Sequence, residues 1–269
     1  MPNMSSLNLW RNKMAATQPV PKAEPVCAPR PSRPLLRIVV LNAKGGCGKT
    51  TISTNLAGYY AAHDYRTAIL DMDPQNSSLR WLSNRDGKRP AVTGIPGNDR
   101  GARVTRSFQL SAPPNTERLI VDTPAGLDSM RLQDITRRAD AILVPVLPSD
   151  IDIHAASRCI ADLLVAGRIE RRSDRIAVVA NRVKKNTHMY DKLRRFLDSL
   201  DIPFVATFRD TQNYAHASER GLCVHELEAR NAREDVRQLD TLIDWIESRQ
   251  SAATSTDSGD HGNLTSGLL

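Results

Sequence analysis

With 269 residues, 40% of them hydrophobic, the chain can bury one substantial core, so one large domain is expected rather than two small ones. No run reaches the roughly 18 consecutive apolar residues that span a bilayer, and the N-terminal MPNMSSLNLWRNKMAATQPV lacks the charged-then-apolar layout of a signal peptide, so a cytoplasmic protein with no integral membrane association is expected. The net charge of +7 is unevenly placed: six Lys/Arg against Glu24 alone in residues 1–38, eight basic against five acidic in 182–220, four basic against seven acidic in 221–250. That balance favours a polyanionic partner, with a solvated charged face as the plain alternative.

Residues 1–34 are proline-rich and lack sustained periodicity, which predicts a disordered basic arm. Short β-branched runs then alternate with helical patterns. The runs are Leu36–Leu41, Ala68–Met72, Leu119–Asp122, Ala141–Val146, Ile176–Ala180 and Phe204–Phe208, several of them almost continuously apolar, as strands buried on both faces are. Between them, Ile153, Ala156, Ile160, Leu163 and Leu164 recur at helical spacing after a cap at Asp150. Met189, Leu193, Phe196, Leu197 and Leu200 do the same, and Val236, Leu239, Ile243 and Ile246 mark a last helix. This alternation predicts an α/β fold, a doubly wound and mostly parallel sheet with helices on both faces and its ligand at the carboxyl ends of the strands. Residues 84–116 interrupt the rhythm with Gly, Pro and Arg and two short extended pieces and read as a peripheral insertion, the domain spans 35–249, and the Ser/Thr/Gly-rich 250–269 reads as a disordered polar tail.

Chemistry concentrates at the end of the first run. LRIVVLNA leads into Lys44-Gly45-Gly46-Cys47-Gly48-Lys49-Thr50-Thr51 and then into helix-compatible residues. Glycines there let backbone N–H groups turn inward around phosphates, and a helix N-terminus adds its positive dipole end. Lys49 is placed to reach β- and γ-phosphates, and the Thr50 hydroxyl suits a Mg²⁺ ligand. Ala43 stands where the ordinary Gly-x-x-x-x-Gly-Lys-Thr loop has its first glycine, and Lys44 follows it. This KGGxGK[ST] string resembles the signature of the ParA/MinD group of deviant Walker ATPases, and the resemblance runs from about Leu36 to about Ile246.

Several assignments follow from that resemblance alone. It implies ATP and Mg²⁺ as ligands, a slow ATPase, and a homodimer that forms on ATP, with Lys44 reaching the partner subunit's nucleotide. LDMDPQ at 70–75 is similar to the family's switch segment, so Asp73 inherits the role of orienting the attacking water, with Asp71 beside the metal. LIVDTPAG at 119–126 looks like the Walker B strand, so Asp122 would hold the Mg²⁺ through water and Gly126 would lie near the γ-phosphate. Asn181, with Arg182 beside it, falls where the family recognises adenine, although Asn at a strand end is often only a turn former.

Within the group, an iron-protein-like reductase would need cluster-ligating cysteines. None of the four cysteines forms a Cys-x-x-Cys pair, Cys159 falls on the apolar side of its helix, and Cys223 reads as a core residue. A membrane-binding MinD-like member would end in a basic amphipathic helix, whereas this chain ends in DSGDHGNLTSGLL. Leu7–Met14 is the remaining candidate for membrane or partner contact. The ParA branch is then the implied one: ATPases that dimerise on ATP, bind nucleoid DNA without sequence preference, and are released when a small cargo-linked partner stimulates hydrolysis. Its DNA contacts would come from Lys184, Lys185, Lys192, Arg194, Arg195, Arg209 and Arg220, although Arg209-Asp210-Thr211 departs from the family's Pro-Arg-Asn. Relatives move plasmids, chromosome origins, chemoreceptor clusters or carboxysomes, and Thr123-Pro124-Ala125-Gly126, where plasmid-type members commonly read Pro-Pro, tilts slightly toward an organelle or protein-cluster positioner, with plasmid and chromosome cargoes left open. The alternative of a different class is a P-loop regulatory or interaction module.

Overall fold

Seven short strands, all parallel, build one sheet in the order β3-β2-β4-β1-β5-β6-β7, where β1 is Leu36–Val40, β2 Thr67–Asp71, β3 Val92–Pro96, β4 Arg118–Asp122, β5 Ala141–Val146, β6 Ile176–Val183 and β7 Phe204–Arg209. The computed structural model describes residues 33–97, 111–169, 174–199 and 202–257. Readings that rest on residues 1–32, Leu200 and the tail from 258 onward lie outside the described residues. Each of the six apolar runs is a strand. The Gly/Pro-interrupted stretch 84–116 is not wholly peripheral, because Val92–Pro96 pairs with β2 along its whole length and closes one edge of the sheet.

Alternation along each strand feeds two cores. Val39 and Leu41 face the side covered by α3 (Ser129–Thr136), α4 (Asp150–Val165) and α5 (His188–Asp198). Ile38 and Val40 face the side covered by α1 (Lys49–Ala62), α2 (Ser77–Ser83), α6 (Asn213–Glu219) and α7 (Ala229–Asp257). The last helix continues through Asp257, past the boundary at 249 drawn from composition. Strand β1 lies between β4 and β5, so the chain winds outward from it in both directions. The crevice at its carboxyl end is the switch point at which such sheets bind ligands.

Two close approaches tie the helices of the second face together. A Cβ on Gly58 of α1 would stand 2.8 Å from the Cys223 Cβ, so only glycine lets the segment after α6 lie against α1. That segment is also latched to the end of α2. Arg85 gives paired 2.8 Å hydrogen bonds to both Glu226 oxygens and a third, of 2.9 Å, to the Gly221 carbonyl, and Trp81 Nε1 donates to the Leu222 carbonyl at 3.0 Å. Both members of the Arg85–Glu226 pair are almost wholly buried. Removing Arg85 leaves the buried Glu226 carboxylate with Arg89, at 4.0 Å, as its remaining ion-pair partner among the described residues, so Arg85→Ala is expected to cost about 3 kcal/mol of stability, measured as a lower midpoint in urea at unchanged slope.

Candidate functional site

The loop between β1 and α1 bends through two left-handed residues, Gly46 at φ 79° and Gly48 at φ 102°. Gly48 is doubly required, because a Cβ there would also meet the Asn181 Nδ2 at 2.0 Å. No side chain caps α1, which leaves its first amides facing the loop. The two lysines diverge. Lys49 is buried and its ammonium donates to the Lys44 carbonyl at 3.0 Å, inside the loop, whereas the Lys44 side chain is exposed at the lip with Gly45 and Gly46. Cys47 is fully buried, its thiol donates to the Lys44 carbonyl at 3.3 Å, and burial raises its pKa. Its side chain is therefore part of the loop's packing, a constraint that a backbone-only reading of this position misses.

Three residues brace the loop from below. Asn42 accepts from the Lys44 N–H at 3.0 Å and donates to the Pro145 carbonyl at 2.7 Å, joining the loop to β5. Asn181, at the end of β6, donates to the Cys47 carbonyl at 2.8 Å and accepts from the Arg182 N–H at 2.9 Å, so its amide is engaged with the loop and with its own neighbour. Arg182 is exposed and sits at φ 50°. Asn55 of α1 accepts from the Val224 N–H at 2.8 Å, fixing the helix behind the loop.

The two strand-end aspartates are register neighbours, Asp71 on β2 against Asp122 on β4, and both are fully buried. Asp122 accepts from Ser53 Oγ at 3.3 Å and from Ser78 Oγ, and the nearby Thr50 hydroxyl also favours its charged form. Burial pushes its carboxyl up to about 6, against the pull of those hydroxyls and with the push of Asp71. Asp71 is likewise raised by burial, but its oxygens accept from three backbone amides, Asp73 at 3.0 Å, Ser78 at 2.9 Å and Leu79 at 3.0 Å, so it anchors the start of α2. Asp73 is half-buried between these anchors and its Oδ1 accepts from the Gln75 N–H at 2.9 Å. Gly126 turns at φ 76° next to Ala125, whose methyl faces Gly45.

The structure brings Lys49, Thr50, Asp71 and Asp122 together and disperses the basic residues of 182–220. Arg209 is held by the fully buried Asp235 of α7 through bonds of 2.5 and 2.9 Å, Lys184 pairs with Asp210 at 3.4 Å, and Lys192 pairs with Asp150 at 2.5 Å. Arg220 ends α6, on the opposite face of the sheet from α5. Lys185, Arg194 and Arg195 are exposed and carry no carboxylate partner among the described residues. The sequence reading missed Asn42, Ser53 and Ser78, whose signal is only a small polar residue within or beside a motif.

A glycine-turned loop feeding bare helix amides, a lysine folded into it, and a buried carboxylate ringed by hydroxyls at the next strand define a P-loop nucleotide-binding protein. The donors around Asp122 are all oxygens, which fits a hard divalent cation such as Mg²⁺, and a carboxylate this buried gains most from one. Residues 38–224 match the CobQ/CobB/MinD/ParA nucleotide binding domain, and the chain belongs to that family. It is 30% identical to the maintenance of carboxysome distribution protein A of Halothiobacillus neapolitanus over 75% of this chain and 93% of that protein. The fold is shared with apo McdA of Cyanothece (TM-score 0.61, 15% identity, 77% of this chain and 99% of that one). It is also shared with the MinD cell division protein of Aquifex aeolicus (TM-score 0.58, 18% identity, 86% and 100%). Among the described residues no helix is long and apolar enough to cross a membrane.

Proposed function

We propose that the protein is a positioning ATPase that dimerises on Mg-ATP, binds nucleoid DNA without sequence preference, and is released by a small cargo-linked partner that stimulates hydrolysis. The similarity to carboxysome distribution proteins makes a carboxysome the favoured cargo. The observation that carries the reading is the divergence of the two loop lysines: Lys49 turned inward and buried, Lys44 exposed at the lip with its carbonyl already bonded to Lys49. A second cation held outside its own loop supports a role on a neighbouring subunit's phosphates.

In this reading the amides of Gly45 to Thr51 and the Lys49 ammonium bind the phosphates. Thr50 and Asp122 would hold Mg²⁺, with Asp71 behind them fixing α2, and Asn181 and Arg182 border the adenine end. Mg²⁺, when bound, neutralises charge on the β- and γ-phosphate oxygens. Asp73 orients water toward the γ-phosphate, and Lys44 from the second subunit adds positive charge where the transferred group leaves. Cytoplasmic, nucleoid-associated residence follows from the DNA partner.

Sedimentation separates this from a P-loop regulatory module. The wild type is expected to dimerise in Mg-ATP and not in ADP. Lys44→Ala is expected to keep ATP affinity but to need at least about tenfold more protein to dimerise, the loss of a charge-assisted contact of about 1.4 kcal/mol or more. An equally strong ATP-dependent dimer in the variant would overturn the cross-subunit role.

A further inference from the structure

We propose that Ser78 is a positioning residue that joins the metal carboxylate to the switch segment. It rests on the nucleotide reading above and adds a residue that the loop and strand motifs do not contain. Ser78 is the first fully buried residue of α2, and it bonds to both strand-end aspartates at once. Its hydroxyl donates to Asp122 Oδ2, and its backbone N–H donates to Asp71 Oδ2 at 2.9 Å. Two carboxylates in register on adjacent strands repel each other, and Ser78 places a donor on each.

The consequence lies in what else is attached to those groups. Asp122 Oδ1 also accepts from Ser53 of α1, so its two oxygens are bonded by hydroxyls from both helices that frame the site. Asp71 holds the amides of Asp73, Ser78 and Leu79, so the position of Asp73 is set by the same short segment. Among the described residues Ser78 supplies the one side-chain hydrogen bond between this segment and Asp122. Any change at Asp122, such as a cation drawing its carboxylate forward, is therefore transmitted to α2 and to Asp73 through the Ser78 hydroxyl. In the other direction, Ser78 holds the carboxylate aimed before the cation arrives.

A hydrogen bond to a charged group contributes about 1.5–3 kcal/mol, or roughly 10- to 100-fold in an equilibrium. The experiment measures the affinity of a fluorescent ATP analogue with Mg²⁺ and with EDTA, for the wild type, Ser78→Ala, Asp122→Asn and the double variant. Ser78→Ala is expected to keep its affinity in EDTA within about twofold, while the gain on adding Mg²⁺ falls at least about tenfold. In the Asp122→Asn background, Ser78→Ala is expected to remove nothing further, because the two act as one unit. Hydrogen exchange of 72–79 is expected to slow on Mg-nucleotide binding in the wild type and not in Ser78→Ala.

A full Mg²⁺ gain in Ser78→Ala, or an equal loss with and without Mg²⁺, would reduce Ser78 to packing and overturn the proposal. Additive losses in the double variant would do the same. A wild type that binds nucleotide no better with Mg²⁺ would instead overturn the metal reading of Asp122 on which this inference stands. Ser78→Cys, nearly equal in volume and a weak donor, is the substitute if the alanine variant fails to fold, and a gain intermediate between the wild type and Asp122→Asn is expected from it.

Discussion

Asp73→Ala is expected to slow ATP turnover about 100-fold while leaving nucleotide affinity within a few-fold of the wild type, because misplacing an attacking group by about 1 Å costs that much. Affinity survives because the Asp73 side chain makes no bond to Lys49 or Asp122, which are held by the Lys44 carbonyl and by the Ser53 and Ser78 hydroxyls. One consequence of the geometry complicates the alanine variant: the Asp73 side chain also accepts from the Gln75 N–H, so its loss loosens the turn as well as the site. Asp73→Asn keeps that acceptor and removes the charge. Both variants are expected to be slow, and both should accumulate as dimers in Mg-ATP by sedimentation. Single-turnover hydrolysis separates the outcomes: Asp73→Asn at wild-type rate would assign the effect of alanine to the turn, and normal turnover in both would move the role to Asp71 or to a backbone-held water.

The sequence disclosed the central strands because they are buried on both faces, and a run such as Ile38, Val39, Val40 needs no alternation to be recognised. β3 was legible only as an extended piece of a peripheral insertion, because it is an edge strand that carries Gly94 and ends on Pro96 and joins the sheet only through its pairing with β2. The phosphate loop was legible because its chemistry is local: glycines, lysine and threonine act within a few residues of one another. Ser78 was not, since its partner Asp122 is 44 residues away and meets it only through the β2–β4 register. Helix α1 buries nearly all its positions, so no polar stripe announced it, and it was placed by the loop that precedes it. The basic stretch was legible as composition but not as a surface. Nearness in sequence grouped Arg209 and Arg220 with α5, but Arg209 ends β7 and is fastened to Asp235, and Arg220 lies past α6 on the far face of the sheet.

That sorting narrows the surface expected to meet DNA. Lys185, Arg194 and Arg195 lie on α5 and the loop that leads to it. Leu193 and Leu197 bury the inner side of the helix, so the two arginines stand off that stripe. Lys184 and Lys192 are paired with Asp210 and Asp150, exposed bridges that phosphate could displace at small cost, whereas freeing Arg209 would leave Asp235 charged and buried. Three phosphate contacts per subunit are weak alone, but a dimer presenting two such patches binds with the second contact made intramolecular. The combined variant Lys185→Ala, Arg194→Ala, Arg195→Ala is therefore expected to lose at least about 100-fold in affinity for unrelated duplexes in Mg-ATP at physiological salt, with a shallower dependence on salt. Its ATP affinity and its dimer should be unchanged, since none of the three lies at the phosphate loop. Retardation assays at several salt concentrations decide the matter. Arg209→Ala should weaken DNA binding only as far as it destabilises the fold, which thermal unfolding reports. If the triple variant binds as the wild type does, the contact lies outside α5, and the same assay repeated on a chain lacking the basic residues 1–32 would test the arm as the DNA-binding element.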